Sequence, residues 1–133
     1  MKLKQLLSGC LLSVVVALLA VAQTVKEPEI PSTPAGKQVT AYINAFNSGD
    51  AKALIAFMEK NDARPERELP SVEIATALFK GLGKLKVAEI TLNKEHALSV
   101  LLNTEKGKQI IFDCEVQPEA PHKFTFFHFE LGK

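Results

Sequence analysis

The chain has 133 residues, a formal net charge of +1, two cysteines and 47% hydrophobic residues. That length suits one compact domain. The near-neutral balance, with Arg64 and Arg67 as its arginines, excludes the clustered basic face that a nucleic-acid binder needs to displace counterions.

Lys2 and Lys4 precede an almost unbroken apolar run from Leu6 to Leu19, and Ala20-Val21-Ala22 places small residues two apart before Gln23. This order of basic, apolar and small residues predicts a signal peptide over residues 1–22, cleaved after Ala22, and therefore an exported protein, periplasmic or secreted. The run is shorter than the roughly 20 apolar residues that a spanning helix requires, so no membrane span is expected after cleavage. Leu7-Ser8-Gly9-Cys10 matches a lipoprotein box in composition. Its apolar run lies mostly after Cys10, so lipidation there fits less well than cleavage. Cleavage removes Lys2 and Lys4 and no carboxylate, which moves the net charge from +1 to −1. It also leaves Cys114 without a disulfide partner, so the domain must rest on packing. Within the apolar strand Ile110–Cys114 this thiol reads as a small buried hydrophobe, with no positive sequence neighbour to activate it.

Residues 23–36 carry Pro28, Pro31 and Pro34 among Glu, Ser and Thr, which predicts an extended linker and a domain over 37–133. Val39, Tyr42, Ile43 and Phe46 then recur at i, i+3, i+4 and i+7, the stripe of a first helix. Asn47-Ser48-Gly49-Asp50 ends it, and Asp50 suits the start of the next helix. The second helix turns Leu54, Phe57 and Met58 inward and stops near Asn61. After the charged connector Arg64-Pro65-Glu66-Arg67, Pro70 or Ser71 opens a third helix with Ile74, Ala75, Leu78, Phe79 and Leu82 inward. Gly81 and Gly83 end it.

Beyond Gly83 the period falls to two. Strands are expected over 85–92, 97–103, 109–117 and 123–131, joined by short polar turns as consecutive hairpins. Helices followed by a meander define an α+β fold, three N-terminal helices on a curved four-stranded antiparallel sheet. Leu98, Val100 and Leu102 share a face, as do Ile110, Phe112, Cys114 and Val116, and Phe127, Phe129 and Leu131. Aligning these rows sets Phe112 opposite Phe129, Cys114 opposite Phe127 and, on the reverse face, Asp113 opposite His128. A slip of one residue would bury that charged pair and expose the phenylalanines.

The segment Ala41-Tyr42-Ile43-Asn44-Ala45-Phe46-Asn47-Ser48-Gly49-Asp50, the Arg64–Arg67 connector, Gly81–Gly83 and Pro121-His122-Lys123-Phe124 resemble, in that order, motifs of the nuclear-transport-factor-like superfamily, also called cystatin-like or SnoaL-like. The similarity extends to a subgroup accompanying secreted serine hydrolases. It covers residues 37–131 and implies a cone-like sheet wrapped around an interior, in a superfamily that holds both enzymes and binding proteins. The isomerases and cyclases of that superfamily need a carboxylate base inside the cone beside an oxyanion donor. Here Asp113 faces outward, and Tyr42, the chain's one tyrosine, lies on the core stripe.

No residue qualifies as catalytic. Asp113 and His128 are read as a cross-strand surface pair. His96 and His122 lack partners at ligand spacing, and Cys114 and His128 fall on opposite faces, so no metal site is expected, nor any cofactor. Tyr42, with its hydroxyl at a pocket mouth, and Arg67, as receiver of an anion or carboxylate, are the candidates for ligand contact in the cone, and a small apolar molecule is the expected ligand class. Ile111, Phe124 and Phe126, with Asp113 and His128 beside them, form an apolar patch rimmed by charge on the reverse face and are the candidate interface. The reading is an exported, non-enzymatic binding or accessory domain that forms a homodimer or docks to a partner protein through its sheet. The alternative is an isomerase- or cyclase-like enzyme using the cone interior. Phe46, Phe57, Phe79, Phe112, Phe127 and Phe129 all compete for that interior, which favours a plugged cone and the first reading.

Overall fold

The computed structural model describes residues 26–65 and 68–132; the signal-peptide and lipoprotein readings lie outside them. Three helices precede one antiparallel sheet: α1 (Pro34–Asn47), α2 (Ala51–Asn61), α3 (Val72–Leu82), then β1 (Leu85–Lys94), β2 (Ala97–Thr104), β3 (Gln109–Val116) and β4 (Phe124–Leu131) in spatial order β1-β2-β3-β4. None of the described helices is long and apolar enough to cross a membrane.

The first helix starts three residues before the expected boundary. Thr33 is its N-cap, accepting from the Gly36 N–H at 3.1 Å, and Pro34 occupies the first turn. Proline is tolerated there because that turn has no intrahelical use for its N–H. The expected linker over 23–36 is therefore corrected: Ala35 and Gly36 are buried helix, and Ile30 packs on the core. A Cβ on Gly36 would lie 1.8 Å from the Pro31 carbonyl oxygen, so glycine is what lets the preceding segment run so close to the helix.

Val39, Tyr42, Ile43 and Phe46 are all buried. Asp50 caps α2 by accepting from the Lys52 and Ala53 N–H groups at 3.0 and 3.3 Å, satisfying donors that a helix start leaves open. Ser71 caps α3 through Ile74 N–H at 3.2 Å, and Gly83, at φ 70°, ends it. Ile74 departs from expectation, being 58% exposed. The buried line of α3 runs through Ala75 and Leu82, and Ile74, rotated about 100° from its neighbour Ala75, falls off that line.

In the sheet the proposed register holds: Phe112 pairs with Phe129, Asp113 with His128 and Cys114 with Phe127. Leu98, Val100, Leu102, Ile110, Phe112 and Cys114 are each at most 2% exposed, forming the inner face. Aromatic rings from helices and sheet meet there. Tyr42 stacks on Phe112 with centroids 5.0 Å apart, Phe46 meets Phe79 edge-on at 5.0 Å, and Phe112 meets Phe127 edge-on at 5.0 Å. Such offset and edge contacts add to area burial because ring edges and faces carry opposite partial charge.

Phe124 requires a correction. Strand alternation places it on the reverse face with Phe126, but it is fully buried. Glu115 pairs with Phe126 while the next residue, Val116, pairs with Phe124, which leaves Thr125 as an extra residue in β4. This bulge inverts the alternation before it and turns Phe124 inward, edge-on to Phe127 at 5.5 Å. The Ala63 N–H donates to the Phe124 carbonyl at 2.9 Å and fixes the inverted end. Gln38, a buried polar residue, donates to the His122 carbonyl at 3.0 Å and holds the loop entering β4.

Candidate functional site

Two surfaces carry the candidate residues. The first is a cleft of about 350 Å³ walled by Leu54, Met58, Leu78, Phe127 and Phe129, with Tyr42, Arg64, Glu68 and His128 among its lining. Tyr42 reaches it from the middle of α1. The residue is 5% exposed, and its hydroxyl has no hydrogen-bond partner among the described residues. Burial holds this phenol above its ordinary value, because the low-dielectric surroundings penalise the phenolate. It is therefore a neutral donor at physiological pH.

Arg67, the other expected ligand contact, lies outside the described residues. Arg64 is the arginine seen at the cleft. Its Nε and Nη2 donate to both Asp62 oxygens, at 2.9 Å to Oδ1 and 2.6 Å to Oδ2, while Nη1 donates to the Phe127 carbonyl at 3.4 Å. The guanidinium carbon stands 5.5 Å from the centre of the Phe127 ring. The hydrogen bond to Asp62 raises the guanidinium's affinity for its proton further. Asp62 is buried, where a charge is costly, and this bidentate pair is one of the interactions that offset it. The sequence places Arg64 in a charged connector without a partner for it; the Asp62-Ala63-Arg64 spacing after α2 is the available signal for the pair.

The second surface is the reverse face of the sheet. Ile111 and Asp113 are half-buried on β3, and Phe126 and His128 are exposed on β4. Four of the five expected interface residues thus share one face, and Phe124 does not. The register adds Leu101 beside Ile111 and Leu92 beside Ser99, which the sequence reading had not singled out. Phe126 is 47% exposed. Carboxylates of Glu89, Asp113, Glu115 and Glu130 surround this apolar centre, against the amines of Lys86 and Lys94. His128 Nε2 bonds Glu130 Oε2 at 2.6 Å on its own strand, so its hydrogen-bond partner is Glu130 and not Asp113, the residue opposite.

Cys114 is buried on the inner face, and its thiol is pushed up to about 12 by burial. A protonated, enclosed thiol is a poor nucleophile. Among the described residues no group of three or more His, Cys, Asp or Glu is placed to hold a metal ion. Comparison with protein-family models, curated proteins and solved structures returned no match.

Proposed function

We propose that the protein is an exported, non-enzymatic accessory domain of nuclear-transport-factor-like architecture, which docks a partner protein on the reverse face of its sheet. The order of three helices and a meander supports that architecture, as do the bulges in β1 and β4, since bulges bend a sheet towards a cone. The observation that carries the functional reading is the pairing of a buried aromatic inner face with an open apolar reverse face. Phe46, Phe112 and Phe124 are at most 1% exposed and Tyr42 stacks among them, whereas Phe126 stands half in solvent on the other side.

Charge selects the occupant. Four carboxylates against two amines make the face acidic, so a partner with an apolar centre and a basic rim fits it better than a second copy of the same face. A photo-crosslinking residue at position 126, introduced in the producing cell, tests the reading. The protein it captures, once identified and purified, should bind the wild type and lose at least about tenfold in affinity to Phe126→Glu. Equal affinity for the two, or no adduct, counts against the face.

The second reading is a small-molecule site in the cleft, in the manner of the isomerases and cyclases. The Tyr42 hydroxyl, which has no hydrogen-bond partner among the described residues and stands at a mainly apolar wall, favours it. A small apolar ligand with one hydrogen-bond acceptor suits such a wall. Arg64 is held by Asp62 and Tyr42 is a neutral donor; of the groups lining the cleft that could act as the base isomerase chemistry needs, Glu68 and His128, the imidazole is bonded to Glu130.

A further inference from the structure

β1 and β4 are the two edges of the sheet, and an edge strand presents backbone donors and acceptors that can pair with another chain. The two edges are built differently. β1 has register shifts between Val87 and Glu89 and between Ile90 and Leu92, and it carries exposed Lys86, Glu89 and Lys94. Irregularity and charge of this kind discourage pairing. β4 is regular from Phe126 to Leu131 and contains neither lysine nor proline. Its outer edge is engaged near its start, by Ala63 at the Phe124 carbonyl and by Arg64 at the Phe127 carbonyl. Alternation then directs the backbone N–H and C=O of Phe129 and Leu131 to the same outer side as those of Phe127.

The strand is also self-complementary about one residue. Antiparallel pairing with the same strand of a second copy, centred on Phe129, sets Phe129 against Phe129, Phe127 against Leu131, and His128 against Glu130. Centring on Phe127 would set His128 against Phe126, and centring on Glu130 would set it against Gly132, so the opposite-charge match belongs to the Phe129 register. His128 and Glu130 are both solvent-exposed, and Leu131 is 52% exposed.

We propose that two copies of the chain pair edge to edge through β4, about a two-fold axis at Phe129, into one continuous eight-stranded sheet built from two four-stranded ones. The arrangement closes on itself and leaves only the two bulged β1 strands as edges. Because the axis runs through the sheet, the two reverse faces become one surface. The pairing does not depend on the docking reading, since it is made by the backbone of the β4 edge and its own side-chain match.

Sedimentation velocity over a range of concentrations tests the pairing. The wild type is expected to dimerise. Glu130→Lys, which opposes Lys to His128, and Leu131→Glu, which opposes a carboxylate to Phe127, each raise the dimer Kd about tenfold. Combining His128→Glu with Glu130→Lys restores the wild-type Kd to within about threefold. Leu92→Glu, on the same face but on β1 at the opposite edge, leaves the dimer intact. Hydrogen exchange in the unmutated protein gives an independent readout: the Phe129 and Leu131 amides exchange more slowly as concentration rises. A wild type that stays monomeric overturns the proposal. So does a dimer indifferent to Glu130→Lys and Leu131→Glu, or exchange at Phe129 and Leu131 that ignores concentration.

Discussion

The side chain of Asn47 completes the backbone of Leu85: its Nδ2 donates to the Leu85 carbonyl at 2.9 Å, and its Oδ1 accepts from the Leu85 N–H at 2.8 Å. The last residue of α1 is thereby tied to the first residue of β1 across 38 positions of sequence, at a buried leucine. Asn47→Asp keeps the acceptor and loses the donor, and Asn47→Ala loses both. Asn47→Ala is expected to cost about 1–3 kcal/mol, the desolvation penalty of backbone groups left unpaired. Asn47→Asp should be no better, because its carboxylate would face the Leu85 carbonyl. Chemical denaturation of the two variants measures both values.

Phe112 is fully buried, stacked on Tyr42 and edge-on to Phe127 and Phe129. Phe112→Ala should therefore cost about 3–5 kcal/mol, the range for deleting a core aromatic whose neighbours relax only in part. An unfolding free energy lowered by less than about 1 kcal/mol would mean the interior repacks freely.

How much of this was legible in sequence can be read from particular residues. The α1 stripe and the row from Ile110 to Val116 followed from periods of 3.6 and 2, and the pairs Phe112–Phe129 and Asp113–His128 followed from matching those rows. Phe124 was not legible. Its facing depends on Thr125 bulging against Glu115 and Val116 and on the bridge from Asp62 and Ala63, both of which are tertiary events. Pro34 was misread because proline breaks a helix everywhere except in its first turn. Arg64 at the cleft depends on the Asp62 carboxylate being buried, and nothing in the local pattern records burial.

Arg64→Met removes a guanidinium that binds both oxygens of the buried Asp62 carboxylate, a group that also has a further interaction. A loss of about 2–3 kcal/mol is expected, at or below the low end of the roughly 3–5 kcal/mol range for a broken buried pair, because Arg64 itself is partly in water. Thermal or urea unfolding of the variant checks it.

Two inner-face acids give the domain an alkaline limit. Burial holds the Cys114 thiol near 12 against an ordinary 9.0 and holds the Tyr42 phenol above its ordinary 10.0. Both folded-state values are raised, so above the ordinary values the unfolded chain has released protons that the folded chain keeps. Their contribution to stability is complete below about pH 9 and is lost as pH rises, first through the thiol and then through the phenol, by up to about 1.4 kcal/mol per pH unit for each group. Urea midpoints between about pH 8 and 11 should fall accordingly, and combining Tyr42→Phe with Cys114→Ala should flatten this part of the profile.

The central claim is that a partner protein docks on the reverse face, and its most direct test compares two exposed apolar sites. Phe126 lies on that face at 47% exposure, and Ile74 lies on α3 at 58%. Isothermal titration of the crosslinked and identified partner against the wild type, Phe126→Glu and Ile74→Glu separates them. The account predicts at least about a tenfold loss for Phe126→Glu and wild-type affinity for Ile74→Glu. Undiminished binding by Phe126→Glu, with the loss falling on Ile74→Glu, would place the docking surface on α3 and contradict it.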